Sequence, residues 1–345
     1  MGLVERPLAL TLGDPAGIGP DIALLAWMAR ARERVPPFVL IGDEAVLAGR
    51  AEALGLSVPL VAVEESGAAT SLFAKAFPVL PVPVPVPVVA GHPDRAAMPA
   101  VVRSIELGVS LVRQREARAI VTNPVSKAML YGAGFAFPGH TEYLAALARE
   151  DRGTPHPVMM LASGPLRVVP VTIHIPLKEV AEMLTEDLIL ATIEITAKDL
   201  GRFFGLKRPR LAVSGLNPHA GEDGSLGREE IDIIAPAIEA ARAKGLDVAG
   251  PYPADTLFHE TARQTYDAAI CMYHDQALVP FKTLAFEEGV NVTLGLPFIR
   301  TSPDHGTAFG IAGTGKANPR SLIEALRLAD AMSKTAGAQT TKAPA

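Results

Sequence analysis

Residues 268–282 read AAICMYHDQALVPFK. The run from Ala268 to Tyr273 is apolar without alternation, the pattern of a strand buried on both faces of a parallel sheet. It stops at His274, where the chain passes into a loop. The same arrangement occurs twice more: VVPVTIH ends at His174 before Ile-Pro, and LAVSGLNPH ends at His219 before Ala-Gly-Glu. In open α/β sheets, ligands bind outside the carboxyl ends of the strands. Neutral imidazole is the commonest protein ligand for a catalytic metal, and three such ligands leave a coordination position for water or substrate. The pattern therefore predicts a divalent metal held by His174, His219 and His274. The plainer alternative is three strand-end histidines satisfied by backbone.

Working outward, PLALTL, PFVLIG, RAIVTN, RVVPVTI, PRLAVSG and VNVTLG read as further buried strands. Between them, IGPDIALLAWMARARE, MPAVVRSIELGVSLVRQRE, LKEVAEMLTEDLILATIEITAKDLGRFF and REEIDIIAPAIEAARAKG carry apolar residues at helical spacing. The alternation defines an α/β protein, and 345 residues suit two domains. The chain is 49% hydrophobic and 5% aromatic, enough for a large aliphatic core. A net charge of −5 argues against a nucleic-acid partner, which needs a clustered basic face. No run is long and apolar enough for a membrane span, and the first residues lack a signal-peptide pattern. The one cysteine, Cys271, fits a reducing compartment. A cytoplasmic location is the expectation. PVPVPVPV at 81–88 loses every second amide donor, so it should run as extended surface chain rather than as a central strand. Residues 331–345 are small and polar, and disorder is expected there.

Other clusters carry chemistry. In PGHTEYLAALAR, His140 and Thr141 stand at the start of a helix, where free amides can cradle a phosphate or carboxylate. An ordinary threonine cap reads equally well. Lys282, Asn291 and Arg300 follow, with the two cations flanking an apolar stretch where a bound anion would offset the cost of burying charge. Surface exposure would also remove that cost. LGDPAGIGPDIA runs strand, glycine loop, helix, but is neither a Walker loop nor a GxGxxG turn. SPDHGTAFGIAGTGKANP, at 302–319, is a glycine-rich loop that could wrap a nucleotide or serve as a flexible connection. Asp255 and Asp275 could each orient a histidine, join a metal shell or hold a substrate amine. Asp255 also reads as a helix cap.

LGDPAGIGPD, TNPVSK, PGHTEYLA, GLNPHAGE, GPYPADTLF, MYHDQALVPFK, GVNVTLGLPFIRTSPDHGTAF and AGTGKANP together resemble the 4-hydroxythreonine-4-phosphate dehydrogenase family over nearly the whole chain. The resemblance implies an isocitrate/isopropylmalate dehydrogenase-like fold with two α/β/α domains around a central cleft. Residues 1–131 plus 303–330 would form a discontinuous first domain with the cofactor loop, and 132–302 the second. It further implies a homodimer whose active site is shared between subunits. His174, His219 and His274 would bind zinc, magnesium or cobalt, with one histidine supplied by the partner. His140, Thr141, Lys282, Asn291 and Arg300 would hold a phosphorylated substrate. His305, Gly306, Gly313 and Asn318 would line the NAD or NADP site, with Asp255 or Asp275 taking the proton.

The implied reaction is oxidation of 4-phosphooxy-L-threonine followed by decarboxylation to 3-amino-2-oxopropyl phosphate, in pyridoxal 5'-phosphate synthesis. Two alternatives stay open: a dehydrogenase of threonate or erythronate 4-phosphate, and a non-catalytic metal- or phosphate-binding relative. Two departures touch the cofactor loop. Gly310 stands where the family usually has an acidic residue, and Asn318 where aspartate is common.

Overall fold

The computed structural model describes residues 6–132, 134, 137, 139–149, 153–164 and 166–340. The chain forms two compact units, Met1–Pro157 with Leu296–Ala345, and Val158–Gly295. The strands are β1 (Leu8–Thr11), β2 (Phe38–Gly42), β3 (Leu60–Ala62), β4 (Phe77–Pro81), β5 (Ile120–Val121), β6 (Val158–Ser163), β7 (Leu166–Pro170), β8 (Arg210–Ser214), β9 (Asp247–Tyr252), β10 (Ala268–Cys271), β11 (Val290–Leu294) and β12 (Arg300–Pro303).

In the first unit the strand order is β3-β4-β2-β1-β5-β12, every pair parallel. Both faces of β1 and β2 are fully buried, as their unbroken apolar runs require. The amphipathic helix Met98–Arg113 covers one face, burying Val101, Ile105 and Val109. The helix Arg320–Thr340 lies beside β12, where Thr301 Oγ1 donates to the Ala325 carbonyl at 2.9 Å.

The boundaries differ from the sequence expectation in two places. Arg300 of β12 pairs with Ile120 of β5, so residues 296–302 belong to the first unit. The helix His140–Leu147 packs there too, with Tyr143 and Leu144 in the same apolar cluster as Ile105 and the Tyr143 hydroxyl donating to Glu106 Oε1 at 2.9 Å.

The disorder expected over 331–345 is corrected for residues 331–340. The last helix continues through Thr340, and residues 341–345 lie outside the described residues. Ala, Met and Lys are good helix formers. Ala329 and Met332 extend the buried stripe, Asp330 pairs with Arg118, and Lys334 Nζ reaches Asp330 at 2.8 Å.

The proline–valine segment runs outside the sheet from Val82 on, as expected, whereas Pro81 ends β4 opposite Gly42. Val82 is buried and Val84 half-buried while the intervening prolines are exposed, so the valines dock and the prolines face out. Val84 N donates to Asp43 Oδ2 at 2.7 Å.

In the second unit the order is β11-β6-β7-β10-β8-β9. β6 pairs antiparallel with β11 and β7, while β7, β10, β8 and β9 are parallel neighbours. The helix Glu186–Phe204 is capped by Thr185, whose Oγ1 accepts from Leu188 N at 3.2 Å, and it ends at Gly205 with φ 73°. The helix His274–Ala285 buries Ala277 and Phe281 against β6, β7 and β10. Cys271 is buried in β10, and burial pushes its thiol up to about 12, so it is a small core residue and not a nucleophile. Among the described residues no helix is long and apolar enough to cross a membrane.

Phe281 is fully buried. Phe281→Ala is expected to cost about 3–5 kcal/mol through lost transfer energy and the cavity left behind. Denaturant unfolding followed by a probe in the second unit measures this.

Candidate functional site

Three adjacent parallel strands of the second unit supply the three histidines. β10 pairs with β7 (Ile270 opposite Val169) and with β8 (Ile270 opposite Val213). His174 follows β7 by four residues, His274 follows β10 by three, and His219 follows β8 by five. The β7–β10 pairing extends beyond the strands: Val171 N donates to Cys271 O at 2.8 Å, and Thr172 Oγ1 to Met272 O at 2.8 Å. That ladder brings the His174 and His274 rings to 5.7 Å between centroids at 43°. Two imidazoles bound about 2.1 Å from one ion have centroids roughly 5 Å apart, so the pair fits a shared cation.

Asp275 Oδ1 lies 2.7 Å from His274 Nδ1. A carboxylate there holds the proton on Nδ1 and leaves the Nε2 lone pair for a metal. His219 does not join the pair. Its side chain is 71% exposed, with Nδ1 3.8 Å from Glu222 Oε2. Among the described residues of this chain, no three His, Cys, Asp or Glu side chains converge on one ion position.

The backbone at two of these histidines is strained. His174 has φ 44°, and His219 opens a run in which Ala220, Gly221, Glu222 and Asp223 also have positive φ. An L residue in that region costs roughly 1–2 kcal/mol and normally occurs singly. Such strain persists where surrounding contacts impose it, and it clusters at functional sites. Gln276, which the sequence reading passed over, is one of those contacts. Its Oε1 accepts from Ser214 Oγ and Met272 N, each at 2.7 Å, and its Nε2 donates to Gly215 O at 2.8 Å. One side chain thus ties the end of β8 to the end of β10.

In the first unit the strand order reverses between β1 and β5, the switch point where open α/β sheets bind ligands. The loop 12–19 and residues Thr122–Pro124 meet there, with Asp14 N donating to Pro124 O at 2.9 Å. Asp14 and Asn123 are both fully buried. Among the described residues, Asp14 Oδ2 and Asn123 Oδ1 have no hydrogen-bond partner. Asp14 Oδ1 accepts only a 3.1 Å bond from Ala16 N, so burial raises its carboxyl to about 6. Two orphaned acceptors suit a ligand that donates, such as a hydroxyl or an amide. The only sequence signal for this pair is that both residues sit in quoted strand-to-loop motifs, LGDPAGIGPD and TNPVSK.

The glycine-rich loop 304–319 is pinned to the same place. Ile18 N donates to Thr307 O at 2.9 Å, and a Cβ at Gly17 would meet that oxygen at 2.9 Å. Gly313, at φ 72°, donates its N–H to Asp21 Oδ1 at 2.7 Å, while the buried Asp21 pairs with the buried Arg50. His305 Nδ1 lies 3.1 Å from Gly306 O. Asn318 Oδ1 accepts from Arg320 N at 3.0 Å, so this side chain satisfies an amide at the start of the last helix. A Cβ at Gly310 would meet nothing within 4 Å, so packing does not require glycine there.

The predicted anion set is divided between the units. His140 and Thr141 open the helix His140–Leu147, and their side chains lie outside the described residues. Arg300 is buried in β12, its Nη2 donating to Thr122 Oγ1 at 2.7 Å, and desolvation lowers the guanidinium to about 10. In the second unit Lys282 is half-buried, with Nζ 5.4 Å from the Phe286 ring centre, and Asn291 lies in β11 opposite Leu161. Asp255 is exposed in the short turn Ala254–Thr256.

The fold and these clusters define a two-unit α/β protein whose chemistry-bearing residues gather at the carboxyl ends of parallel strands. The sequence model of the family described as pyridoxal phosphate biosynthetic protein PdxA matches residues 33–329, and the chain belongs to that family. It is 58% identical over 343 residues to 4-hydroxythreonine-4-phosphate dehydrogenase of Methylorubrum populi, covering 99% of this chain and 98% of that one. The crystal structure of the Klebsiella pneumoniae protein of the same name superposes with TM-score 0.82 at 38% identity, covering 95% and 99%. A terephthalate 1,2-cis-dihydrodiol dehydrogenase from Burkholderia xenovorans aligns at TM-score 0.63 and 28% identity, covering 94% and 98%.

Asp14 generates a pH prediction. Its folded-state pKa, about 6, exceeds the ordinary 3.8, so the folded protein binds the proton more tightly than the unfolded chain. The associated stability is full below about pH 4 and lost as pH rises through 6. Asp14→Asn should flatten this slope and leave the variant more stable than the parent at pH 7–8 by up to roughly 3 kcal/mol. Thermal melts from pH 4 to pH 8 read the difference.

Proposed function

We propose that the chain is a metal-dependent 4-hydroxythreonine-4-phosphate dehydrogenase using NAD or NADP. It oxidises the secondary alcohol of 4-phosphooxy-L-threonine. The carbon-bound hydrogen leaves as hydride to the nicotinamide and the hydroxyl proton goes to a base. The resulting β-keto acid loses carbon dioxide to give 3-amino-2-oxopropyl phosphate, a precursor in pyridoxal phosphate synthesis. The observation that carries this reading is the relative of that name at 58% identity across 99% of the chain. The His174–His274 pair supports it independently.

His174 and His274 would hold the cation, with Asp275 fixing the His274 ring. A divalent metal bound there supplies Lewis acidity toward the substrate oxygen and later toward the new ketone. Asp275 is engaged with His274, which leaves Asp255 as the base for the hydroxyl proton. Lys282 and Asn291 in the second unit, and Arg300 with the start of the helix His140–Leu147 in the first, are the proposed substrate contacts, suited to phosphate by charge and by free amides. The acceptors of Asp14 and Asn123 fit the ribose hydroxyls or carboxamide of a nicotinamide cofactor, beside the loop bearing His305, Gly306, Gly313 and Asn318. Zinc, magnesium and cobalt all suit a site built on imidazole with room for water.

A homodimer belongs to this reading. One chain brings only two of the three histidines together, and the third, His219, stands out in solvent. Leu177 and Met183, downstream of His174, are exposed, as are Val279, Leu284 and Phe286 on and after the His274 helix. Apolar surface at such positions is what a second copy would cover while completing the ligand set. The buried, reduced Cys271 accords with a cytoplasmic setting.

An assay of NADH release on 4-phosphooxy-L-threonine and on threonate and erythronate 4-phosphates, with and without chelator, tests the function. Turnover of the first substrate, abolished by chelator and by His174→Ala, is expected. Rapid turnover of threonate phosphate alone would transfer the assignment to that acid. Lys282→Met should raise KM about 10- to 100-fold with little change in kcat, the loss of a charge-assisted contact made equally in ground and transition states.

A further inference from the structure

We propose that Glu230 is the positioning residue for His219: its buried carboxylate clamps the left-handed turn that presents this imidazole. The inference rests on the reading of His219 as a metal ligand. Between the end of β8 and residue 227 the chain makes a loop in which six successive residues, 219–224, have positive φ. Four of them are not glycine, and local preference opposes the conformation at each. Something outside the turn must hold it.

Glu230 is 3% exposed and lies beneath the loop. Its Oε1 accepts from Leu216 N and Asn217 N, each at 2.7 Å, and its Oε2 accepts from Asn217 Nδ2 at 3.0 Å. The loop also closes on the carboxylate at two glycines. A Cβ at Gly215 would lie 2.9 Å from Oε1, and one at Gly221 would lie 2.6 Å from Oε2. Gly221 sits in the middle of the left-handed run, two residues after His219, so the carboxylate touches the strained segment itself.

A short π-helical turn, Glu230–Ile234, begins at this residue. Such turns recur at functional sites. Glu229 adds a second acceptor to Asn217 Nδ2 at 2.7 Å. Leu216 and Asn217 immediately precede Pro218 and His219, so their anchored amides fix where the strained turn starts. An ionised carboxylate suits this task because it accepts from several N–H groups at once without offering a competing donor.

The test is Co2+ titration of the metal-free full-length protein, followed by visible absorption, on wild type, His219→Ala, Glu230→Met, Glu230→Gln and the double variant His219→Ala/Glu230→Met. Methionine keeps the length of the side chain and removes both acceptors. Glutamine keeps one acceptor and the volume, and serves where methionine does not fold. The expected result is Co2+ affinity lowered about 10- to 100-fold in Glu230→Met and less in Glu230→Gln, with the wild-type spectrum restored at saturating Co2+. The double variant should bind no more weakly than His219→Ala alone. Wild-type affinity in His219→Ala would remove the ligand reading and this proposal with it. Loss of affinity in His219→Ala with none in the Glu230 variants would overturn the proposal alone, as would a further loss in the double variant.

Discussion

The parallel pairing of β10 with β7 on one side and β8 on the other is the constraint on which the second unit depends. Parallel strands end on the same side of a sheet, so residues three to five positions past each end must fall along one edge. Nothing in the individual histidines requires this; the ladder does. Its continuation through Val171 and Thr172 onto Cys271 and Met272 then narrows an edge into a pair of rings. Shifting β7 by one residue would turn its side chains to the other face and undo the pairing.

The first unit solves a different problem, how to keep carboxylates inside an apolar sheet. Asp21 is buried with Arg50, whose guanidinium also donates to Gly17 O at 2.8 Å and Pro15 O at 3.1 Å. That arrangement ties the loop 12–19 and, through Gly313, the glycine-rich loop to one charge pair, and breaking such a pair is costly because the survivor stays buried. Asp14, only seven residues earlier, has no such partner and responds instead by holding its proton to higher pH. Two acids in one motif therefore divide the work. Asp21 fixes the glycine-rich loop through Gly313, while Asp14 keeps an oxygen unspent at the switch point.

Much of this was legible in the sequence where burial leaves a continuous apolar run. PLALTL, PFVLIG, PRLAVSG and AAICMY all became strands, because the two-sided burial that makes a parallel strand also writes its pattern. β12 escaped notice for the converse reason: Arg-Thr-Ser-Pro is polar, yet it is buried, its polar groups meeting Thr122 and the Ala325 carbonyl. β3, short and partly exposed, carries too few residues to show a period. Only the end of the final helix, beyond residue 330, is hidden by its small residues, although Ala329 and Met332 continue the stripe begun by Leu322 and Leu326. At the candidate site the three strand-end histidines were readable, whereas Gln276 and Glu230 were not. Their importance lies in which amides they meet, and no spacing rule records that.

Those two side chains also show how strain is maintained at the site. The turn after β8 is locally unfavourable, so on its own it would relax toward an ordinary loop. Gln276 holds the strand end at Ser214 and Gly215, and Glu230 holds the next two amides at Leu216 and Asn217. Four consecutive residues are thus fixed before the left-handed run begins, and Gly221 meets the same carboxylate within it. With both ends of the short segment determined, the backbone between them has few conformations left. The one it adopts extends His219 into solvent, 71% exposed, rather than folding it back on its own strand. A side chain meant only to satisfy the end of its own strand would have no need of such scaffolding. Such scaffolding suits an imidazole that is held away from its own strand.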